Sequence, residues 1–143
     1  MTNFPIVDFK IIQNCIPQRN PIVMVDALLD HKNEYVQAAL TIKSTNIFVQ
    51  KNKLTEGGII EHMAQSVALY TGYKCFINQE PAPVGYIGSI KKVEIFDLPE
   101  VDQKISTQVY VLHDIMGVTL VDTICSCNEK VIAKSQMKTV LAK

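Results

Sequence analysis

The stretch from Gly57 to Ile77 restricts the possible folds more than any other part of this chain. Spaced as a helix, its apolar residues Ile59, Ile60, Met63, Ala64, Val67, Ala68, Tyr70, Tyr73 and Ile77 fall on more than one face. A helix that is apolar nearly all round has to be wrapped by other elements. The same stretch carries Glu61, His62, Gln65 and Lys74, too many polar groups for exposure to lipid, so it reads as a buried core helix and not as a membrane span. Thr55 is placed to cap it, and Gly57 and Gly58 stand in its first turn.

The rest of the chain supplies the wrapping. Val7 to Ile16 has the apolar spacing of a short helix, stopped by Pro17. After a turn at Asn20-Pro21, Ile22 to Leu29 and Glu34 to Lys43 read as two strands of a hairpin turning at Asp30 to Asn33. Ser44 to Thr55 reads as a polar loop. Beyond the long helix, Val84–Phe96, Lys104–Asp114, Val118–Asn128 and Lys130–Ala142 are expected to form a four-strand meander, with turns at Met116-Gly117 and Asn128-Glu129. In the last strand Val131, Ala133, Met137 and Leu141 are expected on one face and Lys134, Gln136 and Lys138 on the other. No repeat or linker divides the 143 residues, so a single domain over 1–143 is expected. The fold class is α+β: a curved antiparallel sheet wrapped around one long helix, the hotdog fold. One such sheet leaves strand edges and part of its helix uncovered, and this predicts a dimer or larger assembly.

Composition excludes several functions. Fourteen Lys and Arg balance fourteen Asp and Glu, which leaves no net field to hold a phosphate backbone, so no nucleic-acid partner is expected. Met1 to Lys10 has no basic segment followed by an apolar run, and a cytoplasmic location follows by default. Cys15, Cys75, Cys125 and Cys127 form no CxxC and read as buried free thiols. No HxxxH spacing, glycine-rich dinucleotide loop or nucleophile elbow occurs, so neither metal nor cofactor is expected.

Two segments resemble the hotdog 3-hydroxyacyl-acyl carrier protein dehydratases of fatty acid synthesis. Ile16-Pro17-Gln18-Arg19-Asn20-Pro21-Ile22-Val23-Met24-Val25-Asp26 is similar to that family's leucine-proline-histidine-arginine segment with its following proline, apolar run and aspartate. Glu61-His62-Met63-Ala64-Gln65 resembles its helix signature, a glutamate followed one residue later by methionine-alanine-glutamine. The closest likeness is to a divergent branch, the dehydratase-like proteins of aryl polyene and related pigment clusters. The resemblance implies acyl thioesters of acyl carrier protein or coenzyme A as substrates, with either a dehydratase or a helper subunit that pairs with one.

Dehydration of a 3-hydroxyacyl thioester needs a base for the α-proton, an acid for the departing hydroxyl and donors for the charge on the thioester oxygen. The backbone N–H groups of Gly57 and Gly58 at the helix start are candidates for the donors, although the same pair of glycines also suits tight packing. Glu61 is the candidate acid, directly or through a water. Its alternative is a structural bond to Gln65, four residues on and on the same face. The base is missing: family members carry a histidine in a glycine-histidine-phenylalanine-proline loop, and Phe48 to Leu54 contains none. Gln18 likewise replaces a histidine usual in the first segment. His62 is the remaining candidate, although it points about 100° away from Glu61 around the helix. His113 reads as strand packing, His31 as a solvated turn residue and Cys75 as core.

Three readings follow: a dehydratase using Glu61, the Gly57 and Gly58 amides, Gln65 and His62; a thioesterase on the same fold; or a non-catalytic hotdog partner whose companion supplies the base. The assembly is then a homodimer or a heterodimer with another hotdog subunit. An acidic carrier would dock on basic residues at the site mouth, for which Arg19, Lys51, Lys53, Lys91 and Lys92 are candidates.

Overall fold

The computed structural model describes residues 3–142. The elements in chain order are α1 (Phe9–Cys15), β1 (Ala27–Lys32), β2 (Tyr35–Thr41), β3 (Val49–Gln50), β4 (Lys53–Leu54), α2 (Glu56–Ile77), β5 (Gly85–Ile95), β6 (Lys104–Ile115), β7 (Val118–Cys127) and β8 (Lys130–Leu141). Six strands form one antiparallel sheet in the order β1-β2-β6-β7-β8-β5. The sheet curls around α2, and this is the hotdog arrangement expected from the helix's apolar faces.

The helix is buried as its composition demands. Ile59, Met63, Val67, Leu69, Tyr70 and Tyr73 are all buried, together with the polar His62, Gln65 and Ser66. Opposite it, β7 alternates strictly, turning Thr119, Val121, Thr123, Cys125 and Cys127 inward. The last two are free and buried, as expected of them. Cys15 is also buried, while Cys75 is only half-buried. On the other side of α2 lies α1, capped by the Asp8 carboxylate, which accepts from the Lys10 N–H at 2.9 Å. The two helices meet at Gly72, where a Cβ would overlap the carbonyl oxygen of Cys15. That contact brings the end of α1, and hence the Pro17-Gln18 segment, close to the long helix.

Four expectations about the sheet are corrected. The strands after α2 are not a sequential meander: β6, β7 and β8 follow one another, but β5 pairs with β8 at the sheet edge and β2 pairs with β6. The first strand begins at Ala27 and not at Ile22, because the backbone of Ile22 and Met24 bonds to helix side chains in place of a neighbouring strand. Its turn lies at Asn33-Glu34, not at Asp30 to Asn33, with Glu34 at φ 63°. In β8 a register shift pairs Ala133 with Cys125 and Val131 with Ser126, so Ile132 and Ala133 are both buried and the simple alternation from Val131 fails. The turns at Met116-Gly117 and Asn128-Glu129 lie where expected, with positive φ at both residues of each, as two-residue hairpins require. The 44–55 segment contains a small hairpin of its own, β3 with β4, turning through Lys51 and Asn52, both at positive φ.

Candidate active site

The site grows from the partly buried stripe of α2 that shares a cavity with the Pro17-Gln18 segment. Glu61, Ala64, Val67, Ala68 and Thr71 form a stripe along the helix and line a cavity of about 310 Å³. Pro17 and Gln18 line it too, followed by Pro83, Gly85, Tyr86 and Ile87 from the start of β5, Thr119 of β7, and Thr139 and Leu141 of β8. Small residues at positions 64 and 68 keep the space open. Tyr86, 63 % exposed, stands on its rim.

The polar residues of the helix signature divide into two groups. Gln65 is fully buried and uses its whole amide: Oε1 accepts the Met24 N–H at 2.6 Å, while Nε2 donates to the Ile22 carbonyl and to Glu61 Oε1, each at 2.8 Å. It therefore fixes the chain leading into β1 and one oxygen of Glu61 at once. His62 is also fully buried, and its Nδ1–H donates to the Met24 carbonyl at 2.8 Å. Its Nε2 has no partner among the described residues. Burial in this apolar setting pushes the imidazole down to about 4, against a smaller upward effect of the Met24 bond, so it is neutral near pH 7. His62 does not line the cavity with Glu61.

The glycine amides lie elsewhere as well. Gly57 and Gly58 do not line the cavity; the small β3-β4 hairpin packs over them. A Cβ on Gly58 would stand 2.6 Å from Leu54 Cδ1 and 2.7 Å from Phe48 Cβ, so glycine is required there for close packing. Thr55 precedes the helix, but its hydroxyl donates to the Phe48 carbonyl at 2.8 Å and does not cap the first turn. The structure thus puts Glu61 and Gln18 on the cavity wall, with Gln65 buried behind Glu61 and bonded to it, and leaves Gly57, Gly58, His62 and Gln65 itself off that wall.

The family model of ApeP-like proteins, described as ApeP dehydratase, matches residues 10–142. The chain belongs to the ApeP-like dehydratase family. This is the divergent dehydratase-like branch to which the two sequence motifs pointed. No curated protein sequence matches the chain significantly. Among solved structures, the dehydratase heterocomplex ApeI:P from Xenorhabdus doucetiae superposes with a TM-score of 0.87 at 16% identity, covering 99% of this chain and 93% of that one. A hypothetical thioesterase with coenzyme A from Streptococcus pneumoniae TIGR4 gives 0.63 at 8% identity, covering 80% and 84%. The PaaI protein of the phenylacetic acid degradation operon of E. coli gives 0.61 at 10%, covering 79% and 80%. These likenesses establish the hotdog fold.

The remaining candidates of this ApeP-like chain are scattered. Arg19 is exposed, and its guanidinium donates to the Ile16 and Gln18 carbonyls at 2.8 Å each, bracing the backbone that carries Gln18 to the cavity. Lys91 and Lys92 are exposed on β5, where Lys92 sits at φ 55° in a register shift against β8. Lys51 and Lys53 are exposed on the small hairpin. His113 lies in β6, paired with Leu120 of β7, with its side chain exposed. His31, expected in a solvated turn, lies in β1 between the rings of Tyr70 and Tyr73, and its Nε2–H donates to the Tyr70 carbonyl at 2.8 Å. Among the described residues, no helix is long and apolar enough to cross a membrane.

Sequence reasoning missed the walls of the cavity. Ala64, Ala68 and Thr71 carried a readable signal, since small residues follow Glu61 along one helical stripe. Thr119, Thr139 and the β5 residues carried none, because their place depends on which strands pair.

Proposed function

We propose that this chain is a hotdog subunit of a 3-hydroxyacyl thioester dehydratase, holding the acyl chain in the Glu61 cavity and working with a second hotdog subunit that brings the base. The observation that carries this reading is the composition of the cavity: a carboxylate oriented by Gln65, an apolar middle, and no histidine among its described lining residues. Membership of a dehydratase family favours elimination as the chemistry, and the name of the ApeI:P heterocomplex favours a paired assembly.

In that reaction the companion's base takes the proton from the α-carbon, the C–O bond at the β-carbon breaks, and Glu61 or a water held by it gives a proton to the departing hydroxyl. Atoms balance as an enoyl thioester plus water. Gln65 acts as the positioning residue, since it holds one carboxylate oxygen and is itself held by Ile22 and Met24. The open side of the cavity suits a partner: β5 bonds to β8 along one edge only, and Tyr86, Ile87 and Val93 are exposed on it.

The test is a mass-spectrometric dehydration assay on 3-hydroxyacyl-carrier protein, using the purified chain alone and mixed with a hotdog protein of the same genome whose loop before the central helix holds a histidine. Water loss is expected in the mixture and not from the chain alone, and Glu61→Gln should lower it at least about 100-fold. Turnover by the chain alone would overturn the need for a companion's base. Release of free acid in place of enoyl product would move the assignment to a thioesterase.

A further inference from the structure

Among the described residues, Gln18 is the one side-chain amide on the wall of the Glu61 cavity, and its oxygen is unspent. Gln18 Oε1 is shut away from solvent and has no hydrogen-bond partner among the described residues. A buried acceptor left without a donor is costly and rare, and its presence calls for a donor from elsewhere. The cavity is the space from which one can come. Gln18 is only half-buried, and a turn of its side chain presents Oε1 to whatever enters there.

The backbone that carries Gln18 is tied to Glu61 by a short chain of hydrogen bonds. The Arg19 guanidinium grips the carbonyls of Ile16 and Gln18, and the Ile22 N–H donates to the Arg19 carbonyl at 3.1 Å, so the chain folds back on itself between Arg19 and Ile22. The Ile22 carbonyl in turn accepts from Gln65 Nε2, which also donates to Glu61 Oε1, each at 2.8 Å. Gln18 and Glu61 therefore line one cavity from two linked elements, the segment before β1 and α2.

The β-hydroxyl of a 3-hydroxyacyl thioester has one proton to offer and oxygen lone pairs to receive another. In the elimination set out above, Glu61 or its water protonates a lone pair, which leaves the hydroxyl's own proton in need of an acceptor. We propose that Gln18 Oε1 accepts a hydrogen bond from this β-hydroxyl and so turns a lone pair of the leaving oxygen toward Glu61. No proton moves to Gln18, and the departing water keeps the hydroxyl's hydrogen. The proposal rests on the dehydratase reading above, and adds to it the residue that recognises the leaving group.

The test measures binding and not turnover. The full chain is titrated by calorimetry with the coenzyme A thioesters of 3-hydroxyoctanoate, 3-fluorooctanoate and octanoate; fluorine is close to a hydroxyl in size and brings no proton. The hydroxy compound is expected to bind about tenfold more tightly than the other two, the scale of one well-made hydrogen bond. Gln18→Met, of similar length and without an amide, should bring the three within about twofold of one another while leaving octanoyl affinity in place. Melting curves establish that the variant is folded, and Gln18→Leu gives a second, independent loss of preference. Equal binding of the hydroxy and fluoro compounds by the natural chain overturns the inference and leaves the dehydratase reading standing. A preference that survives in Gln18→Met also overturns it, and assigns the hydroxyl to Glu61 alone. An equal loss of affinity for all three thioesters in Gln18→Met overturns it as well, and makes Gln18 a wall of the cavity only. Binding of none of them by the natural chain overturns both.

Discussion

Glu61 and His62 are neighbours in sequence and opposites in the fold. His62 is sealed in the core against the Met24 carbonyl, while Glu61 keeps a face on the cavity and is steadied by Gln65. A rotation of about 100° around one helix separates them. The lesson is that a polar residue on a buried helix has two uses, and the bonds it makes decide between them. Groups whose capacity is spent on backbone, as in Gln65, stitch the helix to the chain leading into β1. A group left partly unspent at a cavity wall is available to a ligand.

The contrast can be broken experimentally, and the sharpest way is at the stitch. Gln65→Leu leaves the Met24 N–H and the Ile22 carbonyl buried without partners, and should lower stability by about 3 kcal/mol in urea unfolding. A loss below about 1 kcal/mol would mean that the segment from Ile22 to Met24 is held by other contacts. Glu61→Gln, which keeps an acceptor for Gln65, should change stability by less than about 0.5 kcal/mol.

The next effect is a pH dependence of stability. Burial holds His62 near 4 in the fold against an ordinary value of 6.5, so between these values the unfolded chain binds more protons than the folded one. Stability is therefore full above about pH 6.5 and falls as the pH is lowered toward 4, by up to about 3 kcal/mol. Burial also lowers His31, which adds a loss in the same direction. Unfolding free energies measured across this range should flatten in His62→Gln, leaving the smaller part due to His31. An unchanged slope would show that His62 is charged in the native state.

Filling the cavity probes the other side of the contrast. Ala64→Leu puts extra apolar atoms into open space, so stability should be unchanged or slightly raised, while acyl-thioester affinity falls about tenfold or more. Loss of stability without loss of binding would place the ligand elsewhere. The smallest effect belongs to the exposed basic residues: exchanging Lys91 and Lys92 for Glu should weaken acyl carrier protein binding a few-fold at low salt and less at high salt. Unchanged affinity removes them from the docking surface.

Periodicity alone revealed much of the fold and part of the site. The helix from Glu56 to Ile77 could be read because its apolar residues leave no face for water. The pattern of β7 could be read because every second residue must pack on that helix. The Glu61 to Gln65 contact follows from helical spacing, and it is present. The pairing of β5 with β8 could not be read, since strands of similar pattern are interchangeable until the sheet curls. Tight packing at Gly58 was one of two readings of the glycine pair, and its partners Phe48 and Leu54 are near in sequence, whereas the use of Gly72 could not be read because the carbonyl that requires it belongs to Cys15, far off in the chain.

The sequence by itself determined that a long apolar helix is wrapped by antiparallel strands, and that a glutamate and glutamine of a dehydratase-like motif sit one turn apart on it. These are local consequences of residue order, set by the 3.6 and 2.0 periods of the backbone. Only the tertiary structure decided that His62 faces the core while Glu61 faces a cavity, and that three threonines from separate elements share that cavity's wall. Such facts depend on strand order, register and the close approach of α1 at Gly72. Each of these is chosen by packing among residues far apart in the chain, which no local pattern records.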